Sequence, residues 1–288
     1  MLKKVSHIYF FRLNIKMTKA KKVLFITQEI TPYVPESSMS TVGRSLPQLV
    51  QENGTEIRTF MPRWGIINER RNQLHEVIRL SGMNIVIDDT DHPLIIKVAS
   101  IQAARMQVYF IDNDDYFHKR CMIADENGTE YADNIERAIF YARGVLETVK
   151  KLRWIPDVIH CQGWISAIAP LLIKTAFADD TPFVNTKVVF DAYDEMPQLP
   201  PPANVKECLA FRNISTELLD STGIDFTQPD ALGKLAVYFS DALVLESAET
   251  HPNLAAYAQE RSIVVTTREK EAPLAEAFEK TYAAVVGE

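Results

Sequence analysis

Glycine is scarce: ten in 288 residues, about half the usual share of ~7%. No GxGxxG and no GxxxxGK[ST] run is present, so the fold is not built around a conventional phosphate-cradling loop. Cysteine is equally sparse. Cys121, Cys161 and Cys208 are odd in number and far apart, which excludes a disulfide framework or a metal-ligand spacing and points to a reducing, cytoplasmic setting. No apolar run reaches the ~18 residues a membrane-spanning helix needs. Positive charge is in deficit, with 31 basic against 38 acidic residues and a net charge of −7. That balance argues against a general nucleic-acid or anionic-membrane surface.

What is present is a large apolar share, 47% of residues, enough for a sizeable core in a chain of this length. Strand and helix patterns alternate. "KKVLFITQ" (21–28), "EIRTFMPRW" (56–64), "PDVIHCQ" (156–162), "TKVVFDAYD" (186–194) and "DALVLES" (241–247) read as buried strands. Helices are predicted over 37–54, 131–152, 164–177 and 230–240, and in two late segments, "NLAAYA" and "APLAEAFEKTYAAVV". Residues 76–111 hold short β segments broken by Ser81-Gly82 and Asp88-Asp89, a small β-rich excursion. Residues 196–207 are a proline-rich loop. Alternation of this kind implies an α/β fold: a single doubly wound, mostly parallel sheet of about six parallel strands, covered on both faces. Residues 1–17 read as a disordered or upstream extension, because Met17 opens a stretch like a natural start.

The edge where such strands end is where ligands bind in α/β proteins. One such turn reads His160-Cys161-Gln162-Gly163-Trp164. Gln162 can hydrogen-bond a hydroxyl but cannot exchange protons near neutrality. His160 is expected to be a core histidine. Cys161 precedes a helix, but His160 should point to the opposite face of the strand, so no nucleophile pair is assigned. Ser37 and Ser38 read as a helix cap. Asp88/Asp89 and Asp114/Asp115 read as turn residues rather than a cation site.

Five stretches taken together resemble the N-terminal half of the bacterial glycogen synthase and starch synthase family. They are "KVLFITQEITPYVPESSMSTVGRSLPQLV", "FMPRWG", "YADNIERAIFYARGVLE", "WIPDVIHCQGWISAIAPLLIK" and "KVVFDAYDE". The resemblance runs from residue 18 to about 250 and implies the Rossmann-like N-terminal half of a GT-B glycosyltransferase. In the family, two such domains close over ADP-glucose and pass glucose to the non-reducing end of an α-1,4-glucan, without a metal. Residues 251–288 are then expected to be a C-terminal helical segment that packs back on the domain.

The departures from the family carry the functional expectation. A lysine-threonine-glycine-glycine loop follows the family's first strand; here that place reads Pro35, Glu36, Ser37, Ser38. Near a diphosphate, Glu36 would repel. Thr41 stands for an acidic residue. The family's His-Ala-His-Asp-Trp is His160 to Trp164, with Gln162 for the second histidine. Thr-Ile-His-Asn becomes Asp191-Ala192-Tyr193-Asp194, and Val-Ser-Pro becomes Glu246-Ser247-Ala248. The family's second, nucleotide-binding domain would need ~200 further residues; it is expected to be absent.

No catalytic residue, metal ligand or cofactor is therefore assigned. Pro35, Glu36, Ser37 and Ser38 form a vestigial sugar-nucleotide loop. The resemblance offers Tyr33, Asp133, Asn134, Arg137, Gln162, Trp164, Tyr193 and Asp194 as sugar- or glucan-binding candidates. For Gln162 and Trp164 the alternative is a helix start packing a tryptophan; for Asp133, Asn134 and Arg137 it is a helix cap beside an exposed arginine. The expected ligand is an α-glucan or a nucleotide sugar. Tyr33, Trp64, Trp164 and Tyr193 are expected to line an open cleft, covered by a protein partner, by a second copy or by the chain's own segment 251–288 folded back over it.

Overall fold

The computed structural model describes residues 19–247, 249–268 and 273–287. The reading of residues 1–17 lies outside them, as does Ala248 of the Glu246-Ser247-Ala248 stretch. Ten strands alternate with eight helices among the described residues: β1 (Lys22–Ile26), α1 (Ser38–Glu52), β2 (Glu56–Pro62), β3 (His75–Glu76), β4 (Met83–Ile87), β5 (Thr90–Ile101), β6 (Met106–Asp112), α2 (Asn134–Leu152), β7 (Val158–Gln162), α3 (Ala169–Lys174), β8 (Lys187–Asp191), α4 (Val205–Leu209), α5 (Thr216–Ser221), α6 (Ala231–Tyr238), β9 (Ala242–Leu245), α7 (Pro252–Glu260), β10 (Val264–Thr267) and α8 (Leu274–Val286). No helix among them is long and apolar enough to cross a membrane.

The strands lie in the order β10-β9-β8-β7-β1-β2-β6-β5-β3. From β10 to β6 every neighbouring pair is parallel, and β5 returns antiparallel along β6. The α/β, doubly wound reading therefore holds. Two elements differ from the sequence-based expectation. "MQVYFID" (β6) lies inside the parallel set beside β2, because its run of buried residues suits a strand covered on both faces. The excursion shrinks to β3, β4 and β5, with Asp88-Asp89 as the two-residue turn of the β4–β5 hairpin. In the late segment a strand, β10, stands between the two helices and joins the sheet beside β9.

The core splits across the sheet as strand alternation requires. Leu24, Ile26, Ile159, Cys161, Val188, Phe190 and Leu243 face α2, α3 and α6. Val23, Phe25, Val158, Val189 and Val244 face the other way, under Leu46 and Val50 of α1 and Phe278, Tyr282 and Val285 of α8. One helix pair, α1 and α8, thus covers this face of β1, β7, β8 and β9.

Candidate functional site

The carboxyl ends of β1, β7, β8 and β10 bring four polar turns together. After β1 come Gln28 and Glu29, both buried, and the chain then reaches α1. Ser37 caps that helix: its Oγ accepts from Ser40 N at 2.9 Å, and Ser40 Oγ accepts from Ser37 N at 2.8 Å. The serine pair thus satisfies first-turn donors that would otherwise be unpaired. Pro35, Glu36, Ser37 and Ser38 are exposed. From Glu29 to Ser40 the chain carries no lysine or arginine.

Gln162, at the end of β7, is buried at 1% exposure. Its Nε2 donates to Tyr193 OH at 3.1 Å and to Met39 O at 3.3 Å, while Oε1 has no partner among the described residues. Gly163 follows at φ 77°, a left-handed conformation that glycine adopts without strain. A Cβ there would lie 2.4 Å from Gln28 Oε1. The resemblance puts an aspartate at Gly163, and here the side chain of Gln28 occupies the room that aspartate would need.

Below this layer, His160 points to the α8 face. Its Nδ1 lies 3.0 Å from Tyr282 OH and its Nε2 3.4 Å from Asp191 Oδ2. Asp191 also pairs with Arg268, just past β10, and the Arg268 guanidinium sits 3.9 Å from the Tyr193 ring centroid. His160 is a core histidine, as its strand position suggested. Cys161 is fully buried on the opposite face, and burial pushes its thiol well above the ordinary range. It is no nucleophile.

The open aromatic cleft is not there. Tyr33, Trp64, Trp164 and Tyr193 are 6%, 0%, 0% and 3% exposed. The chain covers them itself. Tyr33 stands edge-on to Phe110 at 4.9 Å. Trp64 packs at 6.3 Å from Trp164 and donates its Nε1 to Gln28 O at 2.8 Å. Tyr193 lies beneath Arg268. Apolar rings are driven from water wherever neighbouring loops can reach them. For Trp164 the core reading holds, and no ring face is free to stack on a sugar.

The exposed-arginine reading is also corrected. Arg137 is 0% exposed. Its guanidinium donates to Tyr116 O, Met122 O, Cys121 O and Asn134 Oδ1 at 3.0, 2.5, 2.9 and 2.8 Å. Burial, then the nearby Arg120 charge, pulls its pKa down to about 10. Asp133 makes no cap hydrogen bond; it takes both arms of Arg120 at 2.7 and 2.6 Å. Asn134 donates to Ile123 O. This trio ties the segment 116–133 to α2, with the Arg137 guanidinium spent on backbone carbonyls and packed against Trp64. Arg137→Met should therefore lower stability by about 3 kcal/mol or more, since four acceptors, two of them buried, lose their donor; urea unfolding measures it, and an unchanged midpoint would reject this role. Asp194, by contrast, is exposed.

Two residues passed over in the sequence define the chemistry of the turn. Gln28 Nε2 donates to Glu195 Oε2 at 2.7 Å and to Glu29 Oε1 at 3.3 Å. Ser37 Oγ donates to Glu29 Oε2 at 2.6 Å. A carboxyl pair thus stands beside the α1 start. Burial, then the Glu29 charge, pushes the Glu195 carboxyl up to about 7. The one sequence signal was position: both glutamates lie just past strand ends. This corner repels anions and offers acceptors to hydroxyl donors.

A parallel sheet whose polar turns gather at its carboxyl edge fits half of a two-domain glycosyltransferase. The family model for the starch synthase catalytic domain matches residues 22–260, and the chain belongs to that family. Its curated relatives are glycogen synthases. That of Chlorobium limicola is 33% identical over 237 residues, 80% of this chain and 48% of the relative. That of Chlorobaculum tepidum is 39% identical over 169 residues, 58% of this chain and 35% of the relative. The chain spans about half the length of the curated relatives it matches. Among solved structures, the catalytic domain of starch synthase IV from Arabidopsis thaliana bound to ADP and acarbose aligns with a TM-score of 0.65 at 15% identity, over 86% of this chain and 51% of that one. That likeness is one of fold.

Proposed function

We infer that this chain is a glycogen/starch synthase-like protein of storage-polysaccharide metabolism that does not transfer glucose by itself and holds an α-glucan. The supporting observation is the corner beside α1. Where the family resemblance expects a lysine loop for the diphosphate, this chain has Glu36 and a serine cap, with the Glu29–Glu195 pair behind them. Transfer requires groups that stabilise the departing diphosphate, and carboxylates oppose it. Asp194, exposed just past the end of β8, is the group best suited to sugar hydroxyls. Purified chain given ADP-glucose and glycogen should incorporate no glucose, while glycogen or a malto-oligosaccharide raises its melting temperature and ADP-glucose does not. Sustained incorporation by the chain alone would overturn the reading.

A second reading rests on family membership, since the starch synthase catalytic-domain model matches residues 22–260: the chain is then a subunit of an active ADP-glucose or UDP-glucose α-1,4-glucan glucosyltransferase and works with a partner chain. Activity that emerges only on mixing with such a partner favours this reading over the first.

A further inference from the structure

Glu29 leaves the carboxyl end of β1, and Glu195 rides on the loop that leaves β8. The Gln28 amide bridges them, and Ser37 Oγ holds the far oxygen of Glu29. Glu29 is 4% exposed and Glu195 is half-buried. The donors on this pair are neutral: an amide from β1 and a hydroxyl from the α1 cap. Each carboxyl accepts from the same Gln28 amide, and the Glu29 charge adds to burial in disfavouring ionisation of Glu195.

The surroundings are otherwise fixed. Asp194, next along the loop, is exposed. Glu36, on the α1 side, is exposed too. His251, at the start of α7, lies 2.5 Å from Tyr193 O. Arg268 pairs with Asp191 and covers Tyr193. These cationic or titratable groups bond the root of the loop. Further along, the amides of Gln198 and Leu199 donate to Glu130. Between these two anchorages, the carboxyl pair joins the β8 loop to the β1 side.

We propose that Glu29 and Glu195 share one proton, that the shared proton latches the β8 loop (192–199) against the start of α1, and that its loss releases the loop from the crevice. While held, the proton makes one carboxyl a donor to the other carboxylate. On release it passes to bulk water, and two like charges face each other across the Gln28 amide. The occupancy of the latch therefore sets access to Gln162, which donates to Tyr193 OH at the root of the same loop. The latch does not depend on the ligand reading given above.

The direction of the pH effect follows from burial. The Glu195 carboxyl is raised from 4.5 to about 7, so the folded chain holds a proton that the unfolded chain gives up. Its stabilising contribution is fully present below about pH 4.5 and is lost as pH rises through about 7. Hydrogen exchange of peptides spanning 192–199 in the full chain, corrected for intrinsic rates, should show protection that falls through a midpoint near neutrality. Glu195→Gln should remove that midpoint, keep the loop protected at high pH, and melt higher than wild type at about pH 8. Glu29→Gln should move the midpoint down toward the ordinary carboxylate range. His251→Gln should leave it in place. A midpoint that survives in Glu195→Gln overturns the proposal. Should that variant fail to fold, infrared spectra of the wild type decide: a protonated carboxyl band that persists to about pH 6 supports the latch, and its absence there refutes it.

Discussion

A chain cut after residue 272 is expected to lose its cooperative unfolding transition. The cut removes α8 and with it Phe278, Tyr282 and Val285, each buried to within 2%. These side chains and α1 are the cover for Val23, Phe25, Val158, Val189 and Val244. Without that cover, one face of four central strands meets water, and the burial of whole apolar side chains is forfeited at about 1.5–3 kcal/mol each. Such a sum approaches the entire stability of a typical domain. His160 also loses its Tyr282 partner. Near-UV circular dichroism and thermal melts test this: native-like sharp melting of the truncated chain would mean that α8 is dispensable. A graded version separates packing from chain removal. Phe278→Ala should cost about 3–5 kcal/mol, or roughly 6–20 °C in melting temperature for a chain of this size.

Gly43→Ala should destabilise the protein even though Gly43 lies within α1. Inside an exposed helix the same change ordinarily gains about 1 kcal/mol. Here α1 crosses the turn after β1 so closely that a Cβ on residue 43 would sit 2.0 Å from Glu29 O and 3.0 Å from Gln162 Oε1. The first of these is backbone and cannot rotate away. Either α1 lifts or the Gln28–Glu29 turn moves, at a cost of about 1–3 kcal/mol or more. That is a fall of roughly 2–12 °C in melting temperature. The shift should also weaken the carboxyl pair, because Glu29 moves with its carbonyl. A variant as stable as wild type would show that α1 has slack over this turn.

The strands that carry the site were legible because each is a short apolar run bounded by turn residues, and a buried parallel strand needs little more. Ser37 was legible as a cap because capping is local: the donor it serves, Ser40 N, is three residues away. His160 and Cys161 followed from strand alternation alone. β6 was misplaced because its pattern does not say whether its neighbour is β5 alone or β2 as well. The aromatic cleft was misjudged for a different reason. Whether Trp64, Trp164 and Tyr193 are covered depends on loops and on Arg268, which approach from distant parts of the chain.

What the sequence determined by itself is the α/β alternation, the apolar strands and the serine cap. Each rests on residues within a few positions of one another, where periodicity and hydrogen-bond reach decide the outcome. The tertiary structure alone decided that Arg137 is spent on backbone carbonyls, that α8 seals one face, and that Glu29 meets Glu195. Those depend on burial and on contacts between segments far apart in the chain, and a carboxyl group takes its charge state from the neighbours that folding brings to it.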